Sequence, residues 1–410
     1  MLLSVGTDEY APGVPRERGL SDQRSEFVTA AEAAEILGVR RATVYAYASR
    51  GLLGGSSQGP GRRARYSRHL VETLRVKAAA RSGHAAVAAA ALRWGEPVLD
   101  SSITRITPRG PVYRGQRAID LIGSSFESVA ELLWQRTSSW SAIAPQVRTN
   151  SRRPSLQALL EVMVQLAPSL SDTPIEESTR VIRRLACAAG NAESLASKQP
   201  TIVGALGASL KGAVLPAKDR ALLDAGLVLM ADHELNASTF AARVAAGAGA
   251  RWPQALITAF ATATGVRHAA ACDGAERMWN DKRSPRDWLA DRLATGETLY
   301  GFEAGAYPGG DPRGDKLISM LMPRIKKKER LAELLAVVRD ETGQWPSVDL
   351  GLVLLCDVLG FPKGSATIVF VIGRTAGWIA HIDEQTRSGD AIRPRARHID
   401  SQNETNGDRT

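Results

Sequence analysis

The stretch ADHELNASTFAAR, residues 231–243, follows the apolar run LLDAGLVLM, residues 222–230, and its reading decides the fold. It places Asp232, His233, Glu234 and Asn236 where a helix should stop, in a chain that has only six histidines. Asp and Asn at a helix end satisfy backbone groups that the helix leaves open. Alone, the cluster therefore reads as a cap and turn as readily as it reads as a site. The rest of the chain has to decide between the two.

A chain of 410 residues has room for two or three domains and a large core. Hydrophobic residues make up 44% and aromatics only 5%, with Ala and Leu abundant, which favours a soluble helical protein. No run of about eighteen uncharged apolar residues appears, so a membrane span is not expected. The first residues lack a basic start followed by an apolar core, so no secretory signal is read and a cytoplasmic location is expected. Cys187, Cys272 and Cys356 are widely separated and form no metal-spaced pair, which argues against both structural disulfides and a zinc site. No bound metal and no permanently held cofactor is expected.

The net charge of +9 is concentrated in one place. Residues 38–81 carry ten Lys or Arg against the single acid Glu72, and the rest of the chain is balanced. A polyanionic partner for this block is the natural inference. Within FVTAAEAAEILGVRRATVYAYASRGLL, residues 27–53, Thr29 and Glu32 have the spacing of a capping box. Ala33, Ile36 and Leu37 recur at helical spacing, Gly38 permits a turn, and Val44 and Tyr47 continue an apolar face on a second helix. This predicts a helix-turn-helix, followed by a Gly/Arg loop in GPGRRARYSRHL, residues 59–70.

The words AAEAAEILGV, TVYAYASRGLL and RYSRHL resemble the MerR/excisionase type of winged helix-turn-helix DNA-binding domain. The resemblance implies that the second helix enters the major groove and that the loop acts as a wing on backbone phosphates. Arg40, Arg41, Thr43, Tyr45 and Arg50 would then face DNA, with Arg62, Arg63 and Arg65 on the wing. Arg40 departs from the pattern, standing where such domains often carry a Ser-like cap.

From Trp94 onward helical periodicity dominates, as in SLQALLEVMVQLA (155–167) and RLAELLAVVRD (330–340), and strand signals are scarce. Polar clusters interrupt these helices in a definite order: YRG (113–115) with DL (120–121) and Phe126, ADHELNASTFAAR, GVRH (265–268), DPR (311–313), SVDL (347–350), GRTAGWIAHIDEQ (373–385) and IRPRAR (392–397). That order resembles the citrate synthase family across residues 95–397. The resemblance implies condensation of acetyl-CoA, or a related acyl-CoA, with oxaloacetate or a similar oxo-acid. Asp349 matches the catalytic base and His268 the histidine that hydrogen-bonds the developing enol oxygen. His233, Arg313, Arg374 and Arg393 match positions that hold the oxo-acid, a task for which the planar fork of arginine is suited. His381 and Glu384 are assigned to packing and the dimer.

The pattern breaks in two places. In GFEAGAYPGGDPR, residues 301–313, Ala304 stands where the family has a histidine that polarises the oxo-acid carbonyl, and a methyl cannot donate a hydrogen bond. The run HAAAC, residues 268–272, replaces a glycine-rich HGGAN-like run, with Ala269, Ala270 and Cys272 in new roles. The expected architecture is all-α: a helix-turn-helix domain over 26–82, then a citrate synthase-like large domain (88–268 and 349–400) and small domain (269–348), with disordered tails at 1–25 and 401–410. A homodimer is expected, with Arg393 reaching the site of the other subunit. Two functions follow from the residues. One is an acyl-CoA-condensing synthase fused to a DNA-binding domain; the other is a transcriptional regulator whose body senses an acyl-CoA or oxo-acid.

Overall fold

The computed structural model describes residues 27–49, 53, 55–56, 65–67, 71, 99–141, 154–303, 307 and 309–394. The chain divides into one unit of Met1–Asp100 with Pro394–Thr410 and a second of Ser101–Arg393. The expected tails and the expected start of the body at 88 lie outside the described residues.

In the first unit β1 (Phe27–Thr29) leads into α1 (Ala30–Leu37), which is followed by α2 (Arg41–Ser49). With β2 (Gly55–Ser56) and β3 (Arg65–Ser67) the first strand forms an antiparallel sheet in the order β1-β3-β2, with Val28 opposite Tyr66. The capping box is formed: Thr29 Oγ1 accepts the Glu32 N–H at 3.3 Å, and Glu32 Oε2 accepts the Thr29 N–H at 2.7 Å. Gly38, at φ 63°, ends α1 in the left-handed conformation that glycine adopts without penalty. Val28, Ala33, Val44, Leu53, Tyr66 and Val71 close the small core between helices and sheet. The helix-turn-helix and wing-type sheet are thus both present.

The second unit is mostly helical. Its strands are β4 (Thr104–Thr107), β5 (Gly110–Tyr113) and β6 (Gln116–Arg117), which form a small antiparallel sheet, and the pair β7 (Phe302–Glu303) and β8 (Trp345–Pro346). The helices up to the first interruption are α3 (Phe126–Trp134), α4 (Leu156–Leu166), α5 (Pro174–Ala188), α6 (Glu193–Ala196), α7 (Ile202–Lys211) and α8 (Ala217–Met230). After it come α9 (Ala237–Gly247), α10 (Trp252–Ala263), α11 (Ala271–Trp279) and α12 (Pro285–Thr295). The last four are α13 (Pro312–Leu321), α14 (Lys328–Thr342), α15 (Val348–Leu359) and α16 (Ser365–Ser388).

Helix α16 is the axis around which this unit packs. Its 24 residues touch α3, α5, α8, α9, α10, α11 and α15, and it is buried along most of its length. It is long and apolar enough to cross a membrane, but its apolar window is wholly covered by the rest of the unit, which is how a core helix passes that test.

The word GRTAG explains how α16 meets α8. Gly373 and Gly377 are four residues apart and so share a face. A Cβ on Gly373 would lie 2.9 Å from Leu227 O, and one on Gly377 would lie 2.5 Å from Ala231 O. The C-terminal end of α8 therefore sits directly on the backbone of α16, and the Gly377 N–H donates to Ala231 O at 2.9 Å. Arg374, between the two glycines, donates its Nε to Met230 O at 2.8 Å and satisfies another open carbonyl of that helix end. Gly377→Ala should destabilise the fold by about 1–3 kcal/mol, the usual cost of forcing a methyl into a filled interior. Urea unfolding measures this, and an unchanged midpoint would contradict the packing.

Candidate active site

The turn that carries His233 joins α8 to α9 and is fixed from several sides. The Tyr113 hydroxyl donates to Asp232 O at 3.0 Å and accepts the Asp232 N–H at 3.3 Å. The Asp232 carboxylate accepts the Glu234 N–H at 3.0 Å, forming an Asx-type turn, and Glu234 takes a left-handed φ of 53°. Behind it, His381 Nε2 lies 3.3 Å from Asp232 Oδ2, with both side chains fully buried. Burial pushes Asp232 upward, but His381 and Arg374 outweigh it and hold the carboxyl below its ordinary value. Asn236 caps α9 by accepting the Thr239 N–H at 3.1 Å. The opening cluster is thus a cap, a turn and the mount of a histidine at once.

His268 stands in the turn after α10. Its Nε2 is 2.6 Å from Ser238 Oγ, which also accepts the Trp378 indole N–H at 2.9 Å. Its ring meets Phe370 edge-on at 5.6 Å, and the Arg374 guanidinium lies 5.0 Å from the centre of the same phenyl ring. Burial, helped by the nearby charge of Arg374, lowers the His268 value to about 4, so its imidazole is neutral at ordinary pH. His233 is lowered as well, by burial first and then by Arg313, Arg374 and His268. Burial brings Arg374 down to about 10, which leaves it cationic.

Asp349 sits in the first turn of α15. The Cys272 thiol donates to its Oδ1 at 3.3 Å and the Ser347 hydroxyl to its Oδ2 at 3.3 Å. Burial raises the Asp349 carboxyl, against the opposing pull of the Cys272 bond and of Arg313, and a raised carboxylate is a stronger base. Arg313, in α13, is held by Asp311 through its Nε at 3.0 Å and its Nη2 at 2.8 Å. Tyr307 packs below Arg313, 5.7 Å from ring centre to guanidinium, and its hydroxyl is 2.7 Å from His233 Nε2.

These contacts bring five of the expected residues into one neighbourhood. The charge of Arg313 acts on both His233 and Asp349, and that of Arg374 acts on both His233 and His268. Arg393 is different: it is exposed just beyond α16, and among the described residues no hydrogen bond or ion pair links it to this cluster. Ala304 lies outside the described residues. Of the expected DNA-facing residues, Arg40, Arg41 and Tyr45 are exposed and Thr43 is half-buried. Arg50, Arg62 and Arg63 lie outside the described residues, as does the side chain of Arg65. Four contributors were not anticipated as site residues: Tyr307, Asp311, Ser238 and the thiol of Cys272. Only DPR and the Asn-to-Cys change in HAAAC pointed toward any of them. Among the described residues no group of three or more His, Cys, Asp or Glu side chains could hold a metal ion.

The neutral histidines give the fold an acid-sensitive window. An unfolded chain binds a proton on His268 near its ordinary value of 6.5, whereas the folded chain does so only near 4. Falling pH therefore favours unfolding across that interval, and stability is regained as pH rises through it. His268→Gln should flatten the decline between these limits in urea titrations. An equally steep decline in the variant would show that His268 is not the group responsible.

Comparison with known proteins bears on the family and the fold. Residues 91–395 match the family described as "Citrate synthase, C-terminal domain", and residues 27–75 match "Helix-turn-helix domain". Citrate synthase of Haloferax volcanii is 34% identical over 185 residues, covering 43% of this chain and 49% of that protein. The 2-methylcitrate synthase of Mycobacterium tuberculosis is 31% identical over 177 residues, covering 41% and 45%. The chain thus spans about half the length of the curated relatives it matches. Among solved structures, citrate synthase from Thermotoga maritima superposes with a TM-score of 0.63 at 21% identity, covering 75% of this chain and 95% of that one. A Thermoplasma acidophilum citrate synthase, described as a ternary complex with carboxymethyl coenzyme A and oxaloacetate, gives 0.64 at 19% identity, covering 74% and 94%. With a match that extends over most of its length and the family's order of polar words carried on the same helical fold, the chain belongs to the citrate synthase family and bears a helix-turn-helix domain at its amino-terminal end.

Proposed function

We propose that the chain condenses an acyl-CoA with a small oxo-dicarboxylic acid such as oxaloacetate. The observation that carries this reading is a carboxylate made more basic by burial, Asp349, within the field of the same arginine that acts on His233. Asp349 takes a proton from the carbon next to the thioester, and the C–H electrons pass into the enolate. The neutral imidazole of His268 donates a hydrogen bond to the enolate oxygen as its charge develops. Arg313 and Arg374 pair with the carboxylates of the oxo-acid, whose carbonyl carbon the enolate attacks. Water then cleaves the thioester and releases CoA. The proposed division into a large lobe (88–268 and 349–400) and a small lobe (269–348) places Asp349 and His268 at the lobe boundary. A homodimer, with Arg393 serving the cleft of a second copy, belongs to the same proposal.

Release of free CoA from acetyl-CoA and oxaloacetate tests the reading directly, and no release by the folded chain would count against it. Ala304→His should raise kcat by roughly a hundredfold to a thousandfold, the usual worth of one donor at a developing oxyanion. A gain below tenfold would mean that the missing imidazole does not limit the reaction.

The basic helix-turn-helix and the alanine at position 304 favour a second reading, in which the body senses an acyl-CoA or oxo-acid and the amino-terminal unit acts on DNA. Contacts from cations to phosphates release counterions, so DNA affinity should fall steeply between 50 and 200 mM salt, by roughly ten- to a thousandfold for a few contacts. Fluorescence anisotropy with and without oxaloacetate reads both effects, and affinity indifferent to salt and to ligand would rule this reading out.

A further inference from the structure

The condensing reading gives Asp349 a task that depends on aim as well as basicity. The carboxyl of an aspartate turns over a broad range about its last bond, so a base with a fixed direction has to be held. Two side chains hold this one, and each takes a different oxygen. The Cys272 thiol, in the first turn of α11, donates to Oδ1 at 3.3 Å, and the Ser347 hydroxyl donates to Oδ2 at 3.3 Å. Both donors are buried, with 0% and 3% of their surface exposed, whereas Asp349 is half-buried. Ser347 is the N-cap of α15, where a serine ordinarily accepts an N–H from the first turn, yet its side chain makes no such bond. Its hydroxyl serves the carboxylate instead.

We propose that Cys272 and Ser347 are positioning residues, which act through Asp349 by fixing the plane of its carboxylate for proton removal beside the thioester. The proposal rests on the condensing reading above. An ionised carboxylate has about four lone-pair sites, and the two donors occupy one on each oxygen, which leaves room for the incoming proton. Donor strength matters as well. A thiol is a weak donor, whereas a strong one would quench the base by favouring its anion. Burial pushes the Asp349 carboxyl up and both bonds pull it down, and the upward direction prevails. Burial and the adjoining Asp349 hold the Cys272 thiol well above its ordinary range, so it keeps its proton and remains a donor. From the start of α13, Arg313 lowers the Asp349 carboxyl and Asp311 raises it. Substitution of Cys272 or Ser347 leaves both of those charges in place.

The test uses the full chain with acetyl-CoA and oxaloacetate. Cys272→Ala and Ser347→Ala should each lower kcat by roughly tenfold or more, with KM changed by no more than about threefold, because a base out of line costs rate and not affinity. Each should also move the acid limb of kcat/KM to higher pH, since a carboxylate that loses a donor holds its proton more tightly. Loss of packing alone would leave that limb where it is. Infrared spectroscopy gives a readout without turnover, and covers the case in which an Ala variant fails to fold. In the unaltered chain one S–H stretching band should move as falling pH protonates Asp349, and in Asp349→Asn that movement should be absent. An acid limb unmoved in both Ala variants, or S–H bands indifferent to pH in the unaltered chain, overturns the positioning role and leaves the condensing reading standing. An unaltered chain that releases no CoA at any pH overturns the condensing reading, and the positioning role falls with it.

Discussion

The site depends on one carboxylate that touches no substrate in the proposed scheme. Asp311 is almost fully buried and accepts four hydrogen bonds: from the Arg313 N–H at 3.0 Å, its Nε at 3.0 Å, its Nη2 at 2.8 Å, and the Val348 N–H at 3.0 Å. It caps α13 and ties the start of α15 to it, so Arg313 and Asp349 are mounted on one anchor. Gly314 allows the close approach, since a Cβ there would lie 2.7 Å from the Ser347 carbonyl. Burial opposes the charge on Arg313, yet Asp311 raises its value and keeps it cationic. A buried pair of this kind loses about 3–5 kcal/mol when one partner is removed, because the other is left unpaired in the interior.

Around this anchor the interior carries positive charge. Arg313 and Arg374 are both buried, and the guanidinium of Arg374 is shared between a helix-end carbonyl and the face of Phe370. Cations held this way are poorly solvated, so a carboxylate placed beside them would displace little water and gain charge-assisted bonds. The neutral state of both histidines belongs to the same field: each is half-buried next to positive charge, so neither adds a further cation.

Much of this was legible in the amino acids. The capping box at Thr29 and Glu32, the turn at Gly38 and the apolar positions Ala33 and Val44 specify the small unit locally, because helix caps and 3.6-residue periodicity act over a few residues. His233, His268, Arg313, Asp349 and Arg374 were found as words in a fixed order. What the words did not reveal was pairing across the chain. Cys272 stands where the HGGAN-like run has an amide, but its thiol on Asp349 depends on how α11 packs on α15. Ser238 has no local signal for its bond to His268, thirty residues away. The three-stranded β4-β5-β6 sheet was also not anticipated, since strands of two to four residues carry too little alternation to register.

One hydrogen-bond network bears on how the chain can be dissected. Glu384 accepts both the N–H and the hydroxyl of Ser102 at 2.9 Å, and on its other side it pairs with Arg243 at 2.7 Å. Arg243 in turn reaches His381, the partner of Asp232 behind His233. Two donors to this acid therefore come from the residue next to the boundary between the units. An isolated second unit has to begin upstream of Ser101: a shorter fragment would strip Glu384 of its serine ligands and leave the far end of the histidine's support incompletely neutralised.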